Sequence, residues 1–255
     1  MNTKIMLRKF GKYFPKKYAK MNHDHVGLMT GKLPEEVHKV LLCLDCDWKL
    51  LPYIKENKPD LILSHHPFIY GTKAKVFKWD ESKRLLCEEI DKLGIPVYSL
   101  HTNFDTGEGG MNDALANALN LKNIYAPEKD IMMRIGELES PMKAEEFAKL
   151  AKKAFNVSYS LLINEGAEII KKVAIVGGGG SRNWRIAQEE GADIYISGDA
   201  PHYVRRDVVN SGYNYLDMPH EIENIFMPTM KKFLLGIDSN LEVIVVTHET
   251  LPKVI

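Results

Sequence analysis

Three stretches of this 255-residue sequence release histidine, or histidine with a carboxylate, immediately after an apolar run. In Leu61-Ile62-Leu63-Ser64-His65-His66-Pro67 two imidazoles leave the run together. In Val97-Tyr98-Ser99-Leu100-His101-Thr102-Asn103-Phe104-Asp105, His101 comes first and Asp105 sits just beyond. In Tyr215-Leu216-Asp217-Met218-Pro219-His220-Glu221-Ile222-Glu223-Asn224, Pro219 suits the first turn of a helix, which makes His220 and Glu223 neighbours on one face. Neutral imidazole together with ionised carboxylate suits a borderline divalent metal, Zn, Mn, Fe, Co or Ni, whereas Ca or Mg favours oxygen alone. Five donors, His65, His66, Asp105, His220 and Glu223, exceed the three protein ligands of a typical catalytic zinc. The surplus predicts two ions with a carboxylate left to bridge them. A single histidine after a strand usually caps a local carbonyl; the repetition at three strand ends is what favours a built site.

The elements that must position these donors are legible as alternating periods. Val40 to Leu44, Asp60 to Ser64, Pro96 to Leu100, Val173 to Val176, Ile194 to Ser197, Tyr213 to Leu216 and Leu241 to Val246 read as strands. Lys49 to Lys55, Glu81 to Leu93, Met111 to Leu119, Ala144 to Ala154, Asn183 to Glu190 and Arg205 to Ser211 read as amphipathic helices. The alternation predicts an α/β fold: layered, largely parallel sheets with helices on the faces, in two lobes with a dinuclear metal site in the cleft. Ligands of open α/β sheets collect outside the carboxyl ends of strands, where all three stretches fall. The Ala-Pro-Glu-Lys-Asp segment within Tyr125 to Asp130 is the candidate boundary. It predicts a metal-binding lobe from 1–128 and 213–255, interrupted by an inserted α/β lobe over 129–212.

Other signals are weaker. Val173-Ala174-Ile175-Val176-Gly177-Gly178-Gly179-Gly180-Ser181 is a strand and glycine turn without dinucleotide or P-loop spacing. It reads first as a tight turn and second as a phosphate or carboxylate cradle, with Asp199 and His202 able to line the same cleft. His101 is open between orienting a ligand, contacting substrate and acting behind a ligand. Cys43 and Cys46 form C-x-x-C, yet lie in a strand with no second pair, so buried thiols are expected. Lys4, Arg8, Lys9, Lys12, Lys16, Lys17 and Lys20, with no acid among the first twenty residues, predict a solvated basic helix and not a secretory signal. Thirty-four basic and 34 acidic side chains cancel, which argues against nucleic acid or anionic lipid as a field-driven partner. Three cysteines and no long apolar run predict a cytoplasmic protein without a membrane span.

Ser64-His65-His66-Pro67, His101-Thr102-Asn103-Phe104-Asp105, the glycine turn before Ser197-Gly198-Asp199, and Pro219-His220-Glu221-Ile222-Glu223 resemble, in order, the signature blocks of the Nif-three-like proteins. That family is commonly labelled GTP cyclohydrolase 1 type 2 homologues. Phe14-Pro15 and Asp24-His25-Val26-Gly27-Leu28 resemble its amino-terminal block, with His25 where Asn is usual. The resemblance implies dinuclear ligands at His65, His66, Asp105, His220 and Glu223. Some members place the last glutamate four residues after the histidine, at the position of Asn224 here, which leaves Glu223 ahead of Glu221. Pro219 replaces the usual glycine. The resemblance also implies a homohexameric ring and a hydrolase of a nucleotide-like substrate, in which water opens the guanine imidazole ring of GTP. His101 or His202 would move protons. The alternative is a non-catalytic metal-binding scaffold or protein-interaction factor.

Overall fold

The computed structural model describes residues 1–249. The chain runs through β1 (Gly27–Thr30), β2 (Lys39–Cys43), β3 (Leu61–Ser64) and β4 (Val97–Ser99). It continues through β5 (Lys122–Tyr125), β6 (Arg134–Lys143), β7 (Leu161–Asn164), β8 (Ile169–Ile175), β9 (Ile194–Gly198) and β10 (Asn214–Met218), and ends in β11 (Glu242–Val245). Among the described residues these strands build two sheets in two units: Met1–Gly110 with residues 226–249, and Met111–Ile225. The fold is mixed α/β, as the alternating pattern predicts.

In the first unit the sheet order is β1-β4-β3-β2-β11. β11, β2, β3 and β4 pair in parallel, and β1 joins β4 antiparallel. Parallel neighbours need crossover connections, supplied here by the helices Leu51–Asn57 and Glu81–Lys92. Leu41, Ile62 and Val97 of the strands pack with Ile54, Leu86 and Ile90 of these helices in one core cluster. The first helix, Thr3–Tyr13, is capped by Asn2, whose side chain accepts from the Lys4 and Ile5 amides at 3.0 and 3.4 Å. It buries Met6 and Phe10 and leaves Lys4, Arg8 and Lys12 exposed, the expected solvated basic face.

In the second unit the order is β5-β6-β8-β9-β10-β7. β8, β9 and β10 are parallel, while β5, β6 and β7 enter antiparallel. This sheet is therefore mixed, not largely parallel. Its core joins Ile135, Ala174, Tyr195 and Tyr215 to Trp184 and Val204 of the covering helices.

The unit boundaries differ from the predicted lobes, and strand pairing explains why. The Ala126 to Asp130 segment links β5 to β6, which pair with each other, so it is a connection inside one sheet. β10 pairs with β9 and β7, which moves the chain after Tyr213 into the inserted unit as far as Ile225. An inserted unit flanked by two pieces of the first remains, running over 111–225 in place of 129–212. Residues 250–255 of the predicted carboxyl-terminal piece lie outside the described residues. No described helix is long and apolar enough to cross a membrane.

Candidate metal centre

In the first unit, the parallel pairing carries on past the end of β3: the His65 and His66 amides donate to the Cys43 and Leu44 carbonyls at 3.2 and 3.0 Å. The Ser64 and Ser99 hydroxyls lie 2.7 Å apart across β3 and β4 and 2.9 and 3.2 Å from the His66 carbonyl, so that one hydroxyl donates to the other and the remaining proton is given to the carbonyl. The peptide carrying the two imidazoles is thus held from below by backbone and side chain.

Each imidazole of this unit's cluster has one nitrogen committed. His65 Nδ1 lies 2.8 Å from the Leu100 carbonyl, which can only accept, so Nδ1 carries the proton. His66 Nδ1 donates to Asp45 Oδ1 at 2.9 Å, and His101 Nδ1 to Asp24 Oδ2 at 2.8 Å. All three residues therefore turn Nε2 toward any metal, and each offers a ring nitrogen within 4.8 Å of the other two. Their rings are neighbours, with centroids 5.1 to 5.6 Å apart. Three protonated rings at such spacing would set like charges against each other; neutral rings around one cation would not.

Asp105 belongs to the short helix Thr102–Thr106, which begins directly after His101. Asn103 fixes that turn: its Oδ1 accepts from the His101 amide at 3.0 Å and its Nδ2 donates to the Phe14 carbonyl at 2.8 Å. The turn brings Asp105 Oδ1 to 3.4 Å from His65 Nε2, with His65 fully buried. Nε2 is an acceptor once Nδ1 is protonated, so an acceptor faces an acceptor, an arrangement that suits a cation between them. Asp24 also accepts from the Thr102 amide and hydroxyl and from the His25 amide. Burial pushes the Asp24 carboxyl up, but the hydrogen bond and charge of His101, with Thr102 and the His25 amide, outweigh it and hold the group below its usual range.

The second unit repeats the arrangement. His220 and Glu223 lie in a 3₁₀ turn, His220–Ile225, where positions three apart eclipse. His220 Nδ1 donates to Asp199 Oδ2 at 2.6 Å, and its Nε2 lies 3.0 Å from Glu223 Oε2. Glu223 is buried, and it is this carboxylate, not Glu221, that pairs with the histidine. Asp199 takes a left-handed conformation (φ 55°) after β9, and the next amide, Ala200, donates to Asp217. Burial pushes the Asp217 carboxyl up, an effect that the Arg205 guanidinium at 2.6 Å opposes.

The glycine turn has a clear structural role. Gly178, at φ 57°, packs so closely on the pair that a Cβ would overlap Glu223 Oε1 and come within 3.2 Å of His220 Cε1. The Gly177 amide is taken by Asn112 Oδ1 (2.7 Å), and the Gly178 carbonyl by Ser197 and the Gly198 amide. The tight-turn reading fits these bonds. His202 opens the helix His202–Asn210 and is exposed; among the described residues it joins neither donor set. Cys43, Cys46 and Cys87 are buried free thiols, and burial, with the charges of Asp45 and Asp47 behind it, pushes the Cys46 thiol far up. Sequence reasoning did not assign Asp45 or Asp24 as partners of His66 and His101. Asp45 follows β2 as His65 follows β3, so the strand-end rule applied to it as well.

This geometry accompanies extensive similarity to known proteins. The chain is 32% identical over 237 residues to a "GTP cyclohydrolase 1 type 2 homolog" of Clostridium perfringens, covering 89% of each chain. It is 28% identical to the protein of the same name from Lactococcus lactis, covering 99% of this chain and 98% of that one. Among solved structures, the Staphylococcus aureus hypothetical protein SA1388 superposes with a TM-score of 0.88 at 24% identity, over 100% of this chain and 99% of that one. Reduced HcgD from Methanocaldococcus jannaschii gives 0.80 at 25% identity, over 96% and 97%. The family description Duf34/NIF3 (NGG1p interacting factor 3) matches residues 1–252, and with that coverage the chain belongs to this family.

Proposed function

We propose that the protein is a metal-dependent hydrolase of a nucleotide-like substrate, holding two divalent ions on His65, His66, Asp105, His220 and Glu223. The observation that carries this reading is the cluster of three imidazoles whose Nδ1 protons are all committed to fixed acceptors. The donor set of nitrogen and carboxylate oxygen fits Zn, Mn, Fe, Co or Ni. Such ions, when bound, supply Lewis acidity and water of lowered pKa. His65 and His66 bind through Nε2, and Asp45 and Asp199 orient His66 and His220. Asp105 and Glu223 would supply the carboxylate oxygens. His101, with Asp24 behind it, holds or passes a proton at Nε2; His202 is the second candidate for that task. Ring opening of GTP is the named candidate reaction, in line with the names of the relatives. A homohexamer belongs to the same reading.

Metal analysis of the purified protein beside His65→Ala and Asp105→Ala tests the ligands, with loss of metal expected in both variants. Incubation of metal-loaded protein with GTP and a panel of nucleotides and phosphodiesters, against His66→Ala, tests the chemistry. Turnover of a phosphodiester alone keeps the hydrolase and removes the cyclohydrolase name. Metal binding without turnover of any substrate favours the scaffold reading.

A further inference from the structure

A recess of about 250 Å³ lies in the first unit, beside the supports of the histidine cluster. One wall comes from the loop that follows His66, through Ile69 and Lys73, and another carries Asp24, the acceptor of His101. Lys16 and Lys20 complete its charged lining. Three lysines and one carboxylate thus line it, and that carboxylate is occupied. Asp24 Oδ2 accepts from His101 and Thr102, and its Oδ1 from the His25 amide. Among the described residues, neither Lys16 nor Lys20 has a carboxylate within ion-pair distance, while Lys73 reaches Asp91 at 3.5 Å.

Lys73 is held by hydrogen bonds, while Lys16 and Lys20 are exposed. Lys73 Nζ donates to Thr30 Oγ1 at 2.6 Å, and Thr30 in turn donates to Asp91 at 2.5 Å. Lys16 lies against Gly27, where a Cβ would come within 2.8 Å of Nζ and 3.3 Å of Cε. Gly27 has a φ of 106°, a left-handed backbone that favours glycine. The Lys73 ammonium, held by Thr30, loses less side-chain freedom when an anion arrives than a lysine trailing in solvent.

We infer that this recess binds a phosphate group, carried by the small molecule on which the histidine cluster acts. Three ammonium groups against Asp24 and the Asp91 partner of Lys73 leave a surplus of one positive charge, of the sign that draws a phosphate monoester, which carries about −1.5 to −2 at neutral pH. Asp24 joins the recess to His101, so the phosphate anchors its carrier one carboxylate away from the imidazole cluster. The glycine turn of the second unit, the other phosphate candidate in the sequence, has its Gly177 amide already engaged. The link to catalysis rests on the hydrolase reading; the anion site rests on the lysines alone.

Calorimetric titration of zinc-loaded, full-length protein with inorganic phosphate at low salt tests the site. Lys16→Gln and Lys73→Gln should each weaken phosphate binding roughly tenfold, the usual scale of a lost charge-assisted hydrogen bond. Lys16→Arg should retain it, and Lys149→Gln, on the helix Ala144–Ala154 of the other unit, should not change it. Should Lys73→Gln unfold, Lys20→Gln takes its place. The same titration on chelated His66→Ala protein separates the two readings. Binding that survives chelation and still needs Lys16 supports the recess, even if no substrate is ever hydrolysed. Binding that vanishes on chelation assigns the phosphate to the metal and overturns the inference, leaving the hydrolase intact. Unchanged dissociation constants in Lys16→Gln and Lys73→Gln also overturn it.

Discussion

Each imidazole of the candidate centre leans on an acceptor of its own: the Leu100 carbonyl for His65, Asp45 for His66, Asp24 for His101 and Asp199 for His220. A carboxylate behind a metal-binding histidine fixes the ring tautomer and raises its basicity. Asp45→Asn and Asp199→Asn should therefore lower metal affinity by roughly 10- to 100-fold, read by competition with a chelator, while the thermal midpoint of metal-free protein stays close to wild type. Gly178→Ala is expected to do more harm. It forces a side chain into a left-handed conformation and into the Glu223 carboxylate, so urea denaturation should show a loss above about 1 kcal/mol together with loss of metal. The cysteines give a test with the opposite sense. Burial keeps the Cys43 and Cys46 thiols protonated, so an alkylating reagent at pH 8 should leave both unmodified in native protein and label both after denaturation.

Among the elements, the strands that are legible as apolar runs are those that pair in parallel: β2, β3, β4, β8, β9, β10 and β11. Those that escaped, β1, β5, β6 and β7, all enter antiparallel. The physical reason lies in their surroundings. Every residue of β3 and β10 is buried, and β3 in particular reads as a continuous apolar run. β5 and β7 are largely exposed, and β6 carries Glu137, Glu139, Ser140 and Pro141, which no strand template accepts. The ligand candidates were legible because they sit where parallel strands end. Asp24 was not, since it meets His101 across 77 positions of sequence and lies on no strand. Glu223 was legible as an i+3 partner, although the turn that aligns it is 3₁₀ and not α. Asp217, on β10, provides a test by pH. Its folded pKa is raised, so its contribution to stability is fully present below the unfolded pKa and is lost as pH rises through the folded value. Relative to Asp217→Asn, wild-type protein should lose unfolding free energy across that acidic window in urea titrations.

For the whole molecule, ligation and folding should be linked, because ions that bind only the native chain stabilise it by mass action. With free metal at about a hundred times its dissociation constant the gain is about 2.7 kcal/mol, so chelation should lower the unfolding temperature, and His65→Ala should erase the difference. Light scattering at micromolar concentration should find a particle six chains in mass; a monomer removes the ring. The order of the sheet in the first unit has a consequence for synthesis. β11, the last of the described strands in chain order, pairs with β2 and with no other described strand, Glu242 lying opposite Lys39. Until it emerges from the ribosome, β2 offers Val40 to Cys43, all buried in the finished fold, along an open edge, while residues 111–225 have already been translated. A premature stop just before Glu242 would spare every proposed ligand, yet it would leave a nascent chain with an adhesive flank, and such a product should be recovered in inclusion bodies.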